Sequence, residues 1–376
     1  MKQIGIDLGT TSISVVVLDE DKVIDEVTIN SDSWLSHEDK TQDVNKIISK
    51  AKQLLDAYLD KCTDVLSIGL TGQMHGIVCL DEKGKAKSPL YTWQHQTNQE
   101  LVFKINQYTK HQVASGYGLV TYIELKKEAS CICTIMDYLG MVLTSRVRPL
   151  MHESNSASLG FWDLENHCFE VDVLKQFGVK EEILPQTTSE ITSLGCYRDI
   201  PVLIALGDNQ ASVLGSVGLN TNTVLVNMGT GGQVSMISKD YKQESMVETR
   251  PYLHGSYLLV GASLCGGRAY AILENFFRQY VKEATGIDMN HYEVMERIAK
   301  PSTLNVATTF NGTRKDAAVL GSITHISEEN FSAGELIYSW MQGMIKELFD
   351  LYQAMDLEAT ALMVSGNGMD FVKKTV

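Results

Sequence analysis

One short pattern occurs twice in this chain, 220 residues apart, and it limits the possible folds more than any other feature. Residues 4–14 read I-G-I-D-L-G-T-T-S-I-S, and residues 224–234 read V-L-V-N-M-G-T-G-G-Q-V. In both copies an apolar strand ends in Asp or Asn, and an apolar residue, Gly-Thr, a small residue and a second strand follow. The identities are few, but a repeated strand–Gly-Thr–strand hairpin fits two similar α/β halves that face a cleft. We place the boundary near residues 218–221, which predicts domains at 1–219 and 220–376.

The hydrophobic patterns between and around the two copies also predict an α/β fold. Apolar residues at helical spacing from Val44 to Tyr58 indicate an amphipathic helix, which Asp43 or Thr41 can cap. Alternating or β-branched runs predict strands at residues 2–7, 12–18, 23–29, 65–70, 77–80, 202–206, 224–227, 233–237, 257–262 and 361–364. Later helices are predicted from residue 209, over about 268–281 and over about 333–355.

The composition excludes several classes of function. The 376 residues carry a formal net charge of −14, so neither nucleic acid nor an anionic membrane surface is an expected partner. A small anionic ligand remains compatible, because backbone amides and a metal ion can bind phosphate without a basic surface. The seven cysteines form no CxxC pair, which argues against a disulfide framework and a structural zinc site. With no signal-peptide pattern and no apolar run of about 18 residues, the sequence predicts a cytoplasmic protein.

The motif D-L-G-T-T-S at residues 7–12 suggests a phosphate-binding loop. Glycine lets the backbone approach a phosphate closely, and hydroxyl side chains add hydrogen-bond donors. A carboxylate at the end of the strand can hold Mg²⁺ through water. The alternative is a hairpin turn in which the Asp accepts local amide bonds, and the motif alone leaves both open. The candidates are Asp7 for the metal and Gly9, Thr10, Thr11 and Ser12 for the phosphates.

Two glycine-rich segments in the second half suggest further contacts to a nucleotide. Residues 229–232 alone are best explained as a hairpin, but paired with the first loop they predict a clamp that holds a triphosphate from the other side. The turn at residues 365–368 can pass close to an adenine or an α-phosphate, or it can be an ordinary strand–helix turn. The candidates are Gly229, Thr230, Gly231, Gly232, Gly366 and Asn367.

Two segments of the first half suggest catalysis and substrate binding. Asp208, between a strand and a helix, can be the base of a phosphoryl transfer or, as is commoner, a helix cap. His75 can be a base, a hydrogen-bonding residue or a satisfied turn histidine; no second His lies at a metal-like spacing, so we reject a metal role. Trp93 can stack on a ligand, although a core position is its default. The substrate candidates are Gln73, Met74, His75, Trp93 and Asp208.

The ordered set of motifs resembles the FGGY carbohydrate kinases from one end of the chain to the other. The motifs are D-L-G-T-T-S, G-Q-M-H-G, G-D-N-Q-A-S, N-M-G-T-G-G, E-T-R-P-Y, L-C-G-G-R-A-Y and S-G-N-G-M. Within the family, T-G-Q-M-H-G with S-P-L-Y-T-W-Q is most similar to the sedoheptulokinase-like branch, and xylulokinases are its close neighbours. The resemblance implies the actin-like ATPase (ribonuclease H-like) fold, with two similar domains around a nucleotide cleft. It also implies transfer of the γ-phosphoryl group of ATP to a sugar hydroxyl, with Mg²⁺.

The resemblance also implies a role for each candidate residue. Asp208 becomes the base that deprotonates the sugar hydroxyl, and Asp7 the carboxylate that organises metal and phosphate. Met74 and His75 match the sugar contacts of ketose kinases, while Trp93 stays open. The residues on the phosphate loops are Thr10, Thr11, Thr230 and Gly231, and those on the adenine side are Gly366 and Asn367. The implied partner is a small ketose, and a homodimer is left open.

The chain departs from the family pattern in three ways. The family usually reads W-Q-D-x-R, with a sugar-contacting Asp and an Arg nearby, whereas here His95 and Thr97 stand at those positions. After G-N-G-M the family continues with a sequence that contains Arg and Asn, whereas here Asp370, Phe371 and Val372 follow. The chain then ends at Val376, where family members continue through further helices, so the sequence predicts a truncated second domain. These departures support a second hypothesis, a non-catalytic or weakly active sugar- and nucleotide-binding remnant. A third, an ATP-driven structural or chaperone protein of the same fold, is disfavoured because it needs no sugar-binding motif.

Overall fold

The chain divides into two compact units in a computed structural model that describes residues 1–243, 246–313, 316 and 318–366. Unit 1 comprises residues 1–212 and 251–256, and unit 2 comprises residues 213–250 and those from 257 onward. The division between residues 212 and 213 lies within a helix, a few residues before the position at 219/220 that the sequence suggested. The short segment 251–256 returns to unit 1, which no local sequence pattern indicated.

Unit 1 is a mixed α/β unit that begins with five strands before its first helix. Its strands are β1 (Lys2–Leu8), β2 (Ser12–Asp19), β3 (Lys22–Asn30), β4 (Trp34–Ser36), β5 (Thr41–Gln42), β6 (Val65–Gly72), β7 (Val78–Leu80), β8 (Leu90–Tyr91), β9 (Cys131–Cys133), β10 (Leu150–His152), β11 (Trp162–Asp163), β12 (Cys168–Phe169), β13 (Gln186–Thr188), β14 (Ser193–Tyr197), β15 (Ile200–Leu203) and β16 (Leu206–Gly207). Its helices are α1 (Val44–Lys61), α2 (Gln99–Ile105), α3 (Gly118–Leu125), α4 (Ile135–Thr144), α5 (Glu153–Ser158) and α6 (Val171–Gln176), and α7 (Asp208–Val217) begins in it. A 3₁₀ turn covers Glu181–Ile183.

The main sheet of unit 1 has the order β14-β15-β6-β1-β2-β3, and β16 also pairs with β6. β1, β2 and β3 form the predicted antiparallel meander, while β6 runs parallel to β1 and β16 parallel to β6. Side chains alternate between the two faces of a strand, so Ile4, Ile6 and Leu8 of β1 are buried whereas Asp7 lies on the less covered face. This alternation leaves the carboxylate of Asp7 accessible at the end of a core strand.

Helix α1 has the amphipathic character that the sequence predicted. Its buried residues include Val44, Ile47, Ala51 and Leu55, which lie three or four positions apart and form one face. The side chain of Asp43 caps the helix by accepting a hydrogen bond from the backbone N of Lys46 at 3.1 Å, so Asp43 rather than Thr41 is the cap.

Unit 2 repeats the α/β pattern around a second sheet. Its strands are β17 (Thr223–Met228), β18 (Gly232–Ser238), β19 (Glu248–Pro251), β20 (Tyr257–Ser263), β21 (Asn305–Ala307), β22 (Ser322–Thr324) and β23 (Ala361–Ser365). Its long helices are α8 (Gly266–Thr285) and α10 (Ala333–Gln353), with α9 (Tyr292–Ile298) between them and a 3₁₀ turn at Leu253–Gly255 in the segment that belongs to unit 1. Trp340 of α10 donates its indole N–H to the carbonyl of Ala269 in α8 at 2.9 Å, which ties the two long helices together.

The two sheets share one arrangement of strands around the repeated hairpin. In unit 1, β1 lies between its antiparallel hairpin partner β2 and the parallel strand β6. In unit 2, β17 lies between its antiparallel hairpin partner β18 and the parallel strand β23. The sequence repeat therefore corresponds to a repeated structural unit. None of the helices in the described parts of the chain is both long and apolar enough to span a membrane.

Candidate active site

Three strands of unit 1 end side by side and bring the first group of candidate residues to one edge of the sheet. In the register of the sheet, Asp7 lies opposite Thr71, and Thr71 lies opposite Leu206. The segments that follow the three strands therefore share this edge. Because neighbouring strands are about 4.8 Å apart, the ends of β1 and β16 are separated by about 10 Å. The carboxyl ends of parallel strands are where α/β folds usually bind their ligands.

Asp7 has the environment of a cation ligand. Burial raises the pKa of its carboxyl above the ordinary value, because the charged form loses solvation without gaining a counter-charge. Within the described residues its side chain makes no hydrogen bond and no ion pair. A single carboxylate of this kind suits Mg²⁺, which usually binds through one or two carboxylates, water and the phosphates of a nucleotide. No group of three or more His, Cys, Asp or Glu in the described parts of the chain could hold a metal ion by itself.

The first Gly-Thr loop is fixed by side chains from distant segments. The indole N–H of Trp93 donates to Oγ1 of Thr10 at 3.0 Å, and that hydroxyl donates to Oε1 of Gln73 at 3.4 Å. The buried Gln42 donates from Nε2 to the carbonyl of Thr10 at 2.6 Å and accepts from Nε2 of Gln73 at 3.0 Å. The loop continues through Thr11, whose carbonyl accepts from Ser31 N at 2.9 Å. Thr10 is therefore held at both its backbone and its hydroxyl.

Trp93 lies at the surface and not in the core, which was its default assignment from the sequence. Its side chain is 47% exposed, and its N–H is engaged by the loop that follows β1. The tryptophan thus joins the segment after β8 to the first Gly-Thr loop. Its exposed ring remains available to a ligand.

The turn after β6 carries the candidate sugar contacts. Gln73 donates its backbone N–H to the carbonyl of Leu8 at 2.9 Å, so this turn is attached to the end of β1. Met74 is buried and packs against the backbone of Gly207, where a Cβ atom would lie 2.6 Å from the methionine sulfur. A side chain at position 207 would therefore displace the end of the Met74 side chain, and the glycine leaves room for it between the two strand ends.

His75 has a left-handed backbone, with φ of 68°, and its side chain is held on two sides. Its backbone N–H donates to Oγ of Ser158 at 3.2 Å, and its Nδ1 lies 2.8 Å from the carbonyl oxygen of Ser158. A carbonyl can only accept, so Nδ1 carries a proton. The ring also stacks on Tyr117, with ring centroids 4.5 Å apart. Sequence reasoning identified His75 but neither Ser158 nor Tyr117.

Asp208 begins α7 directly after β16, and its side chain is exposed at the same edge. Its Oδ1 accepts a hydrogen bond from the backbone N–H of the next residue, Asn209, at 2.6 Å. The exposed carboxylate therefore lies at the start of α7, at the edge that it shares with Asp7 and with the turn at His75.

The second Gly-Thr loop, in unit 2, is held by backbone contacts. The N–H of Gly229 donates to the carbonyl of Gly231 at 3.0 Å. The first turn of α8 donates back to the loop, from Gly267 N to Gly229 O at 2.9 Å and from Arg268 N to Thr230 O at 3.0 Å. Thr230 is exposed, and Gly232 is the buried first residue of β18. The loop thus presents an exposed hydroxyl on a backbone scaffold.

Gly366 lies beside this second loop, at the end of the strand parallel to β17. Its φ is 93°, and a Cβ atom there would be 2.5 Å from the carbonyl oxygen of Met228, so only glycine fits. The other candidate on this side, Asn367, lies outside the described residues. The candidates of unit 2 are therefore grouped around the ends of β17 and β23.

The two residues that stand in place of the family's Asp and Arg, His95 and Thr97, are buried in unit 1. His95 is 9% exposed; its Nδ1 lies 2.7 Å from the carbonyl of Asp39, and its Nε2 is 3.9 Å from a carboxylate oxygen of Glu124. Thr97 is 4% exposed, and its backbone N–H donates to Oγ of Ser115 at 2.7 Å. Both residues stabilise the segment that follows Trp93.

Comparison with known proteins identifies relatives of this chain. The sequence model of the N-terminal domain of the FGGY family of carbohydrate kinases matches residues 3–215. Sedoheptulokinase of Mus musculus is 27% identical over 413 residues, which cover 94% of this chain and 86% of that protein. A xylulose kinase of Staphylococcus epidermidis is 22% identical and covers 94% of this chain and 76% of that protein.

A solved structure supports the same fold. The crystal structure of a xyloylose kinase from Brucella ovis matches with a TM-score of 0.82 at 21% sequence identity, and the match covers 100% of this chain and 84% of that one. The fold is therefore the actin-like ATPase fold that the sequence motifs implied.

Proposed function

The chain belongs to the FGGY family of carbohydrate kinases, and we propose that its sugar substrate is a ketose, with sedoheptulose as the first candidate and xylulose as the alternative. As a member of this family it is an ATP-dependent sugar kinase. The choice of ketose is supported by the relatives, of which the murine sedoheptulokinase is 27% identical and the staphylococcal xylulose kinase 22% identical. The G-Q-M-H-G segment at residues 72–76 supports the same choice.

The observation that carries the proposal is the shared edge of β1, β6 and β16. This edge has a partly buried carboxylate, Asp7, beside a Gly-Thr loop, and an exposed carboxylate, Asp208, two strands away. Between them lies the turn that holds Met74 and His75. A phosphate site, a hydrogen-bonding turn and a base in this order suit the transfer of a phosphoryl group to a hydroxyl.

In the proposed reaction Asp208 accepts the proton of the sugar hydroxyl while the hydroxyl oxygen attacks the γ-phosphorus of ATP. The bond between the γ-phosphorus and the bridging oxygen breaks, and ADP leaves. The protein contributes mainly positioning and charge stabilisation to such a transfer. The hydroxyls of Thr10 and Thr230 and the backbone of the two Gly-Thr loops would hold the phosphates, and Gly366 would face the nucleoside side.

Mg²⁺ would be held by Asp7 through water, and it would supply positive charge to the β- and γ-phosphates of ATP. The raised pKa of this carboxyl is consistent with that role, because a nearby cation would favour the charged form that burial disfavours. Met74 and His75 would contact the sugar, and Trp93 would offer its exposed ring to it.

The proposal is tested by measuring ADP formation by the purified chain with ATP, Mg²⁺ and a panel of ketoses. We expect sugar-dependent turnover, with the highest kcat/KM for sedoheptulose or xylulose. The variant Asp208→Asn should lower kcat by about 10²–10⁴-fold and leave ATP binding intact, since a general base contributes about that much. Asp21→Asn, at an exposed turn between β2 and β3, is the matched control and should keep full activity.

Two outcomes would contradict the proposal. A folded wild-type chain without sugar-dependent ADP formation on any ketose would support the non-catalytic alternative. Near-normal turnover in a folded Asp208→Asn variant would exclude Asp208 as the base.

A further inference from the structure

Helix α5 is built almost entirely of small polar residues and is nevertheless buried. Its sequence is E-S-N-S-A-S, and Glu153, Ser154, Asn155, Ser156 and Ser158 are all buried. Burying a polar group costs free energy unless the group is hydrogen-bonded, so the burial of this helix depends on the hydrogen-bond partners of its side chains. The three serines of the helix differ in their partners: two bond to the candidate active site, and one bonds within the helix.

Ser158, at the end of α5, fixes the backbone and the ring of His75. Its hydroxyl donates to the carbonyl of Asn155 at 2.7 Å, which leaves the oxygen lone pairs directed to the N–H of His75 at 3.2 Å. Its carbonyl accepts the Nδ1 proton of the same histidine at 2.8 Å. A non-glycine residue with a left-handed backbone persists only where its surroundings hold it, and Ser158 supplies that restraint for His75.

Ser154, one turn earlier, fixes the backbone directly before Asp208. His152 Nε2 lies 3.1 Å from the carbonyl of Ser189, so Nε2 carries the proton and Nδ1 accepts. Burial lowers the pKa of His152 to about 4, which keeps the ring neutral. Nδ1 accepts both the backbone N–H of Ser154 at 3.1 Å, as the cap of α5, and its hydroxyl at 2.9 Å. The hydroxyl oxygen of Ser154 in turn accepts the N–H of Gly207 at 3.2 Å.

Asn155 makes a second connection to the same strand. Its Nδ2 donates to the carbonyl of Ala205 at 3.0 Å, directly before β16 and two residues before Gly207, which bonds to Ser154. The segment that leads to Asp208 is thus bonded to α5 at two positions, and the turn that carries His75 is bonded to the same helix.

We propose that Ser154 and Ser158 are positioning residues that fix the distance between the sugar-binding turn at His75 and the base Asp208, and that α5 thereby selects ketoses by chain length. The inference rests on the proposed function, because it assigns His75 to sugar binding and Asp208 to catalysis. A seven-carbon ketose is two carbons longer than a five-carbon ketose, so a fixed distance from the histidine to the base favours one of them. Neither serine needs to touch the substrate.

Ser156 provides a matched control on the same helix. It is fully buried, and its hydroxyl donates to the carbonyl of His152 at 3.2 Å, within the first turn of the helix. Ser156→Ala removes a buried hydroxyl from α5 without removing a bond to His75 or Gly207. Any effect of Ser154→Ala or Ser158→Ala beyond that of Ser156→Ala therefore reports positioning and not general loss of stability.

The test compares kcat and KM of the three alanine variants with a five-carbon and a seven-carbon ketose. Ser158→Ala should raise the ketose KM by about fivefold to tenfold, as expected for a lost hydrogen bond. Ser154→Ala should lower kcat by about 10–100-fold, because small displacements of a catalytic group are costly. In both, the ratio of kcat/KM for the two ketoses should move toward one, while the KM for ATP stays unchanged. Ser156→Ala should match the wild type in all these quantities.

Amide hydrogen exchange gives a second measurement on the same proteins. Ser154→Ala should accelerate exchange at Gly207, and Ser158→Ala should accelerate it at His75, whereas Ser156→Ala should do neither. If an alanine variant does not fold, the cysteine variants Ser154→Cys and Ser158→Cys replace it, because a thiol has a similar shape and is a much weaker acceptor.

Two outcomes overturn the inference, and they are distinguishable. If the wild type is active but Ser154 and Ser158 variants change kcat, KM and selectivity no more than Ser156→Ala, only the positioning role fails. If the folded wild type phosphorylates no ketose, the proposed function fails and the inference fails with it.

Discussion

The two copies of the repeated hairpin have the same neighbours and strand directions, but their loops are closed differently. In unit 1 the last pair before the loop is Leu8 opposite Ile13, so residues 9–12 form the loop. In unit 2 the corresponding pair is Met228 opposite Gly232, so residues 229–231 form it. The second loop is one residue shorter, although the sequence alignment of the two copies contains no gap.

The forces that hold the two loops differ as well. Side chains from three distant segments, Gln42, Gln73 and Trp93, bond to Thr10 in unit 1. In unit 2 the loop bonds to itself and to the backbone of α8, and Gly266 approaches it so closely that a Cβ atom would lie 2.3 Å from the carbonyl carbon of Gly231. The first loop depends on side-chain chemistry and the second on the absence of side chains.

The two copies of the hairpin also differ in the side chain at the end of the first strand. The copies place Asp7 and Asn227 at equivalent strand ends, each one residue before the pair that precedes its loop. Of these two side chains only Asp7 can carry a charge, and in unit 1 the adjoining strand ends lead into the turn at His75 and to Asp208. The duplicated geometry gives two similar loops, and under the proposed function both bind phosphate while the carboxylates of unit 1 carry the chemistry.

Among the changes that test this comparison of the two hairpins, exchanging the two equivalent side chains should have the largest effect on turnover. Asp7→Asn gives the first strand the side chain of the second, and we expect it to weaken Mg²⁺-dependent turnover by about 10–100-fold, as for residues that hold a metal through its outer shell. Sugar affinity should change little, since the loss concerns the metal and phosphates. The measurement is the Mg²⁺ dependence of kcat/KM for ATP.

The reciprocal change, Asn227→Asp, is the matched variant in unit 2. It adds a carboxylate to an equivalent strand end without adding the polar surroundings of unit 1, and it should not restore turnover when combined with Asp7→Asn. Lost ketose binding with an unaltered Mg²⁺ dependence in Asp7→Asn would contradict the assignment of this carboxylate.

A smaller effect is expected from adding one methyl group to the backbone-held loop. In Gly266→Ala the new Cβ would lie 2.3 Å from the Gly231 carbonyl carbon and 2.4 Å from Gly232 N, so the loop or the start of α8 must move. Such overpacking costs about 1–3 kcal/mol. We expect a lower urea midpoint and weaker ATP binding by calorimetry, with ketose binding retained.

Gly215 is the control for this change. It lies in α7 with nothing within 4 Å of an ideal Cβ, so Gly215→Ala should be neutral or stabilising by about 0.5–1 kcal/mol. If Gly266→Ala were as harmless as Gly215→Ala, close backbone packing would not be what holds the second loop.

The elements that the sequence predicted well are those defined by local patterns. The hairpins, the cap at Asp43 and the long helices follow from alternation, helical spacing and capping chemistry within a few residues. The strand ends that carry Asp7 and Asp208 follow from the same local patterns. The grouping of these ends at one edge required the parallel pairing of β1, β6 and β16, which is set by contacts across the fold.

The parts that could not be predicted depend on contacts between distant residues. His75 and Ser158 are 83 positions apart, and so are Thr10 and Trp93. A helix of small polar residues such as α5 is ordinarily read as exposed, because polar residues usually mark the solvent face. Its burial is determined by partners on β16 and at His75 that the local sequence does not reveal.

The stability of unit 1 should also depend on pH, through Asp137 of α4. Its carboxyl is buried and accepts from Thr134 Oγ1 at 2.5 Å and from Asn155 Nδ2 at 3.2 Å, and burial raises its pKa to about 7. Between about pH 4, the ordinary pKa of an Asp, and about pH 7, the Asp137 carboxyl keeps its proton in the folded state and has lost it in the unfolded state. Stability should therefore fall as pH rises through this range, by about 1.4 kcal/mol per pH unit, and then level off.

Urea unfolding of the wild type and Asp137→Asn between pH 5 and pH 8 measures this dependence. The titrations of all other groups cancel in the difference in free energy of unfolding, wild type minus variant. This difference should decrease as pH rises toward 7. Parallel curves over this range would show that Asp137 titrates in the folded protein as it does in the unfolded chain.

The smallest expected effect concerns a single hydrogen bond, and it tests directly whether the first loop is held by side chains. Trp93→Phe removes the indole N–H that donates to Thr10 Oγ1 at 3.0 Å but keeps an aromatic ring, and Thr10→Val removes the acceptor with little change in shape. Each variant should weaken ATP binding by about 1 kcal/mol, the usual net value of such a bond. Thr10→Val also removes the bond to Gln73 Oε1 and the hydroxyl proposed to contact phosphate, so it can weaken binding further. The double variant should lose little more than Thr10→Val alone, because the bond to Trp93 is already absent there. Thr230 is the equivalent threonine of the second loop, and it serves as the control. Its bond to Arg268 N is made by the backbone carbonyl, which Thr230→Val leaves in place. The losses of ATP-binding free energy in Thr230→Val and Trp93→Phe should therefore add to within about 0.5 kcal/mol in the double variant. Additivity of Thr10→Val with Trp93→Phe would mean that the bond contributes nothing to the loop, and the two hairpins would then differ in sequence but not in what holds them.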